Sequence, residues 1–345
     1  MQQFISSLSW QIDIILFVSL LLFFWNFIVF ILFGIDKRKA LKNKWRFSEN
    51  FLIICSLLCG GVGAVLGCKV FNHKTNKIKF KLFTLFAFII TIVPIIHIIH
   101  GLTLDQIIVY REIDFLDASW SETLDGYRIA FMTDFHRITK EDMQKVVNEL
   151  NQKELDLLLL GGDFSLYDDH YRTILGVISE INTTDGIWGV EGNHDNAQAL
   201  FAAKKDYDIG ILDNSGQYIH PSFFLAGVHD LWNRQANIAI ATTDANEDSF
   251  ILLVSHNPDI TMIQNTNHLN LVLSGHTHGG QITLFGWPFV LYISSVSNYG
   301  TRFGRGFAES AEGVPVYTST GIGDYYIWPR IFSRPEVVIF TMYNN

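Results

Sequence analysis

The 345-residue sequence predicts an α/β domain carried behind an α-helical membrane-anchoring segment. Apolar residues make up 49% of the chain and crowd its first hundred positions. The charge divides at the same place: residues 1–100 hold 11 Lys and Arg against 3 Asp and Glu, whereas the remainder holds 14 against 31. Beyond residue 125, short apolar runs alternate with amphipathic stretches, and the runs end in clusters of glycine and polar residues. A basic apolar lead before an acidic body fits an anchor carrying a polar domain. An acidic body is also a poor general binder of nucleic acid, whose backbone demands a basic face.

The elements of the lead follow in order. Residues 14–33 form a run broken only by Ser19 and Asn26, long enough for a hydrocarbon core of roughly 30 Å. No Lys or Arg precedes it and Asp36-Lys37-Arg38-Lys39 follows, which predicts an uncleaved span rather than a signal peptide. The second run, 51–68, is short and contains Gly60, Gly61, Gly63 and Gly67; glycine suits close helix packing or a bent re-entrant segment. The third, 82–99, can just span. Its Pro94 and His97 read as a kink and an interfacial side chain.

Two basic loops, 37–46 and 69–81, separate these runs. Three full crossings would place them on opposite sides of the membrane. A re-entrant second run keeps both in the cytoplasm, where short basic loops prefer to lie, and sends the acidic domain outside. The expectation is a multi-pass protein of the cell membrane with an extracytoplasmic domain. Cys55, Cys59 and Cys68 all lie in the lead, so the acidic domain has neither a disulfide framework nor a cysteine metal site. Residues 35–81 resemble a small bacterial membrane family of unknown function, through Gly34-Ile35-Asp36-Lys37-Arg38, Trp45-Arg46, the glycine-rich run and Phe71-Asn72-His73-Lys74-Thr75. That resemblance implies bacterial origin and no chemistry, and His73 reads as interfacial rather than catalytic. The expected organisation is an anchor over 1–100, a linker over 101–124 and a catalytic domain over 125–345.

In the acidic body, 128–132, 155–160, 187–190, 250–254 and 269–273 read as strands. Residues 139–151 read as a helix with Thr139 as N-cap, and Asn257-Pro258 opens another. Polar clusters follow the strands: Thr133-Asp134-Phe135-His136, Gly161-Gly162-Asp163, Gly192-Asn193-His194-Asp195, Ser255-His256-Asn257 and Gly275-His276-Thr277-His278-Gly279-Gly280-Gln281. Ligands of open α/β sheets bind beyond the carboxyl ends of strands, so five such clusters can converge on one site. Their donors are oxygen and imidazole nitrogen without sulfur, which suits Mn, Fe, Zn, Co or Ni better than calcium. Residues two apart on an extended segment point the same way, so Asp134 with His136, and His276 with His278, can each reach one pocket.

With these clusters, residues 125–345 resemble the calcineurin-like metallophosphoesterases. Gly275 to Gln281, Gly321-Ile322-Gly323 and Arg334-Pro335-Glu336 look like the YkuE/YaeI-type membrane-associated phosphodiesterases. The resemblance implies a sandwich of two central sheets flanked by helices, and two divalent metal ions. One ion would take Asp134, His136, Asp163 and His278; the other would take Asp163, Asn193, His256 and His276, with Asp163 bridging. His194 would protonate the leaving oxygen or stabilise the transition state, and Asp195 would orient His194 or cap the next helix. The implied activity is hydrolysis of membrane phosphoesters, which include lipid-linked ones. A pyrophosphatase of the UDP-diacylglucosamine type, which needs a cytosolic domain, and a non-catalytic membrane scaffold remain the alternatives. The bilayer and a phosphoester are the partners expected.

Aromatic and glycine residues dominate 284–326, among them Phe285, Trp287, Phe289, Tyr292, Tyr299, Phe303, Phe307, Tyr325 and Tyr326. They either grip a lipid and dip into the membrane interface, or fill the core of a small sheet. Arg137, Arg302 and Arg305 are candidates for binding the substrate phosphate.

Overall fold

The computed structural model describes residues 2–74, 78–103, 105, 107–167, 170–324 and 330–345. Thr75 and Lys77 of the second basic loop, and Tyr325 and Tyr326, lie outside these, as does the side chain of His97. The chain divides into two compact units, Met1–Ile99 and His100–Asn345.

Among the described residues, three helical stretches are long and apolar enough to cross a membrane: Phe17–Leu41, Glu49–Val70 and Phe80–Gly101. They belong to α1 (Gln2–Leu41), to α2 (Glu49–Cys55) and α3 (Gly61–Val70), and to α4 (Ile78–Thr103), which continues through Pro94. Between α2 and α3 the chain leaves helical geometry at Leu58 and at Cys59, whose φ is 60°. The two ends of this glycine-rich pair meet at one residue. Asp36 accepts from Phe47 N at 3.0 Å and from Arg46 at 2.9 Å before the pair, and faces His73 Nε2 at 2.7 Å after it. Its middle sits farther along α1: Asn26 donates to Cys59 O at 2.9 Å and accepts from Gly63 N at 2.9 Å. The α1 segment from Asn26 to Asp36 rises about 15 Å, half of a hydrocarbon core. The run 51–68 therefore doubles back on itself along α1, with both of its ends beside Asp36. The glycines allow it: a Cβ on Gly63 would stand 2.0 Å from Asn26 O, and one on Gly61 2.1 Å from Ala87 O.

The second unit holds twelve strands among the described residues: β1 (Val109–Leu116), β2 (Tyr127–Met132), β3 (Leu157–Leu160), β4 (Ile187–Gly189), β5 (Ile209–Ile211), β6 (Ser215–His220), β7 (Phe223–Gly227), β8 (Phe250–Val254), β9 (Leu271–Ser274), β10 (Gly306–Glu309), β11 (Pro315–Thr318) and β12 (Glu336–Tyr343). They form two six-stranded sheets, β1-β12-β2-β3-β4-β5 and β10-β11-β9-β8-β7-β6. Strands β2 to β5 are parallel, as are β7, β8, β9 and β11. Such strands are buried on both faces, hence their unbroken apolar runs. Ile129, Phe131, Leu157, Leu159, Leu252, Val254, Leu271 and Leu273 pack between the sheets. Their sequence neighbours Ala130, Met132, Leu158 and Leu160 face α5 (Lys140–Leu150) and α6 (Tyr171–Ile178) instead. Thr139 caps α5, accepting from Asp142 N at 3.0 Å.

The stretch 101–124, expected as linker, contains β1, which pairs in parallel with β12 along eight residues. Its alternating exposure marks a strand solvated on one face, a pattern that the acidic residues of this stretch obscure in the sequence. Asn257-Pro258 opens only a 3-10 turn, Pro258–Met262. Trp120 plugs the sandwich, with ring centroids 5.2 Å from Phe223 and 5.0 Å from Phe250. Trp120→Ala is expected to cost about 3–5 kcal/mol, the range for losing a large buried aromatic, read from the urea unfolding midpoint of the detergent-solubilised protein.

Candidate metal centre

The loops after β2, β3, β4, β8 and β9 all leave the same edge of the sandwich, and the side chains singled out in the sequence meet there. Five of them have backbones in the left-handed region: Asp134 (φ 56°), His136 (φ 38°), Asp163 (φ 56°), His276 (φ 72°) and His278 (φ 51°). The expectation that the Asp-x-His and His-x-His pairs lie on extended segments is therefore corrected. Each strand ends before its pair, and the chain turns at once so that the donors fold back over the sheet edge. A non-glycine residue held in this region costs about 1–3 kcal/mol, which the surroundings must offset. Glycines make the room. A Cβ on Gly192 would stand 2.3 Å from Asp163 Oδ1, and one on Gly275 2.4 Å from Asp134 Oδ2.

His136 Nε2 lies 3.0 Å from His278 Nε2, and His278 Nε2 lies 3.3 Å from Asp134 Oδ1. Asp163 Oδ2 stands between two histidines, 3.4 Å from His136 Nε2 and 3.2 Å from His256 Nε2. Asn193 Oδ1 is 3.0 Å from His256 Nε2 and 2.8 Å from His276 Nδ1. The outer ring nitrogens fix the tautomers: His256 Nδ1 donates to Gly161 O at 2.8 Å, and His276 Nε2 donates to Val296 O at 2.9 Å. With both rings neutral, the inward nitrogens of His256 and His276, 3.3 Å apart, present lone pairs, and so does the Asn193 oxygen beside them. Acceptors cannot satisfy one another; a cation satisfies them all. The donor set fits a divalent metal, and two clusters have the spacing to hold one: Asp134, His136 and His278, and Asp134, Asp163 and His256.

Electrostatics agree. Burial pulls His136 down to about 4 and His276 to about 3, and takes His278 well below its usual range, so all three are neutral donors. Burial pushes Asp134 up to about 6. Burial also opposes charge on Asp163 and His256, but their mutual attraction outweighs it, lowering Asp163 and raising His256 to about 10. Asp163 thus favours a proton on His256 in the absence of a metal, and a metal bound there competes with that proton.

His194 is half-buried with its ring 5.6 Å from that of His136, and its backbone N–H donates to Asp163 Oδ1 at 2.8 Å. The Asp195 carboxylate accepts from Asp163 N, Phe164 N and Gly192 N, each at 2.8 Å, and from Tyr171 OH at 3.1 Å. It ties the Asp163 and Asn193 loops together, and the cap of α7 (Ala197–Ala203) falls to Asn196. Arg302 is spent on Glu309 O and Arg305 on Phe332 O and Gly286 O. Both expected phosphate-binding guanidinia brace the aromatic loop. Arg137 is half-buried and its charge acts on Asp324.

Two features escaped the sequence reading. Arg330 is wholly buried behind His278: Nη2 lies 3.5 Å from His278 Nδ1 and donates to Gly323 O, while Nη1 donates to Thr320 O at 2.8 Å. Strand β7 also ends at this edge, and its polar cluster His229-Asp230 brings the Trp232 ring against His276 at 4.4 Å. The apolar run 223–227 followed by that cluster was the available signal.

Residues 127–280 match the calcineurin-like phosphoesterase family, and residues 26–80 match a family of proteins of unknown function, DUF1294. An uncharacterized metallophosphoesterase of Helicobacter pylori is 28% identical over 228 residues, covering 62% of this chain and 58% of that protein. Metallophosphoesterase YkuE of Bacillus subtilis is 26% identical over 63% of this chain and 79% of its own length. Phosphodiesterase YaeI of Escherichia coli is 27% identical over 65% and 85%. The chain thus carries a calcineurin-like metallophosphoesterase domain.

An asparagine at 195 would turn an amide NH₂ toward backbone N–H groups that now find acceptors. Groups that orient metal ligands typically contribute 10–100-fold in affinity. Asp195→Asn is expected to weaken metal binding by about that factor, measured by calorimetric titration of Mn²⁺ into chelator-stripped protein.

Proposed function

We propose that this metallophosphoesterase domain is a membrane-anchored phosphodiesterase or phosphatase that uses two divalent metal ions to hydrolyse a lipid-linked phosphoester outside the cytoplasm. The observation that carries the proposal is the ring of acceptor atoms around Asp163 Oδ2, which has a histidine nitrogen on either side, at 3.4 and 3.2 Å. Asp134, His136 and His278 complete the site of one ion, and Asn193, His256 and His276 that of the other, with Asp163 common to both. When bound, the metals supply Lewis-acid charge to the phosphoryl group and lower the pKa of the attacking water. His194, held beside the site through its bond to Asp163, gives a proton to the leaving oxygen.

A cleft of about 320 Å³ opens beside His276 and His278, walled by Trp232, Ile282, Val290, Leu291 and Val296. An apolar wall next to a charged centre suits a phosphoester with a hydrocarbon portion. The loops support this side of the membrane. Arg46 of the first basic loop and Lys74 of the second both reach Asp36, at 2.9 and 3.5 Å. With both loops on one face, the positive-inside preference holds them in the cytoplasm, α1 and α4 cross, and the domain after α4 lies outside.

His194→Ala is expected to keep its metal stoichiometry by elemental analysis while kcat on a chromogenic phosphodiester falls by about 10²–10⁴, whereas Asp163→Asn loses metal from both sites. Full turnover in either variant removes the assignment. For sidedness, a cysteine at Ser119 should react with an impermeant maleimide in intact spheroplasts, and one at Asn43 only after lysis. Labelling in the reverse order would place the domain in the cytosol, where a nucleotide-linked lipid becomes the better substrate.

A further inference from the structure

Residues 281–301 carry no Asp, Glu, Lys or Arg, although the body of the chain is strongly acidic. The structure spends this stretch on a surface. Leu284, Phe285, Trp287, Tyr292 and Ile293 are 43%, 58%, 53%, 64% and 80% exposed. Five large apolar side chains open to water on ten consecutive residues are not the usual scatter of a soluble surface. Phe303, by contrast, is fully buried, and Arg302 and Arg305 are bonded to backbone carbonyls. Of the two roles the sequence leaves open for its aromatics, core filling describes Phe303 and not this group.

The neighbours of the group say what covers it. The third apolar helix, long enough to span as Phe80–Gly101, ends inside this unit. Its last turn packs on residues 330–332. The His100 ring stacks on Phe332 with centroids 3.7 Å apart, and a Cβ on Gly101 would stand 2.7 Å from Arg330 O. Phe332 in turn meets Phe285 edge-on at 5.6 Å, and Thr283 N donates to Ile331 O at 2.9 Å. One ring, Phe332, therefore separates the end of a membrane-crossing helix from the first exposed aromatic of the loop. Trp and Tyr favour the headgroup level of a bilayer, while Phe and Ile favour the acyl boundary beneath it.

We infer that residues 284–293 lie in the lipid–water interface of the bilayer that the third apolar helix crosses, and that this places the mouth of the cleft at the depth of lipid headgroups. Val290 and Leu291 line the cleft from within the same segment, so a lipid can present its phosphoester to His276 and His278 while its chains stay close to the bilayer. The partner is a lipid surface rather than a protein. The absence of charge within 281–301, with Arg302 and Arg305 held by backbone carbonyls, gives a protein partner no ion pair to recognise on this segment.

Only the identity of what enters the cleft rests on the phosphoesterase reading; the depth of the loop does not. The test therefore uses no substrate. Full-length protein with Cys55, Cys59 and Cys68 replaced by alanine is reconstituted into vesicles of phosphatidylethanolamine and phosphatidylglycerol. A nitroxide is attached at Ile293→Cys and, on a second preparation, at Trp287→Cys; Asn267→Cys, exposed before β9 at the far edge of the sandwich, serves as the aqueous reference. Collisional relaxation by oxygen relative to a water-soluble nickel chelate is expected to be severalfold higher at 293 and 287 than at 267. Nickel accessibility at 293 and 287 equal to that at 267 overturns the inference. That result would leave turnover untouched, whereas an inactive enzyme with both labels at interfacial depth would overturn only the phosphoesterase reading.

Discussion

Everything at the active edge of the sandwich answers to one constraint: acceptor atoms held a hydrogen bond's length apart, with more lone pairs than protons among them. His256 and His276 are each turned inward by a carbonyl that claims the other ring nitrogen, so neither can relax by changing tautomer. Such an arrangement is stable only with positive charge at its centre, whether a metal ion or the proton that Asp163 draws onto His256. The left-handed backbones at five donor residues, the glycines packed against two carboxylates and the four bonds to Asp195 hold this unfavourable geometry in place before any metal arrives. Pre-organisation of this kind moves the cost of assembling the site from binding to folding.

Asp36 plays an analogous part in the first unit, at lower stakes. The residues that mark the small membrane family are spread over nearly forty positions, yet Asp36, Arg46, His73 and Lys74 gather around one carboxylate. Buried charge of both signs at the end of a membrane helix persists only when paired. The pairing explains the pattern without catalysis: the motif fastens both ends of the glycine-rich hairpin to the helix it leans on.

The order of polar clusters after apolar runs was enough to nominate the residues that the structure gathers at one edge, because parallel strands must deliver their carboxyl ends to the same side. What the order could not carry was backbone handedness. Asp134, His136 and His278 are not glycines, so nothing in their spelling announces a positive φ. Nor could it separate an arginine that meets solvent from one consumed by carbonyls. Arg302 and Arg305 carry no mark in the sequence of the carbonyls that hold them, and Arg330 none of its place directly behind His278. Edge strands such as β1 were hidden for a related reason, since a strand with one wet face and acidic side chains spells like a linker. A bend in the second apolar run was legible through its glycines; where the chain doubles back needed the contacts of Asn26 and Asp36.

Strand β12 lies between β1 and β2, pairing with one in parallel and with the other antiparallel, yet it follows every other strand in the chain. The first sheet therefore has a gap in its hydrogen-bonded order until the latest-made strand arrives. During synthesis, β1 can find its only neighbour after some two hundred further residues have been added, a separation that makes closure slow relative to local helix formation.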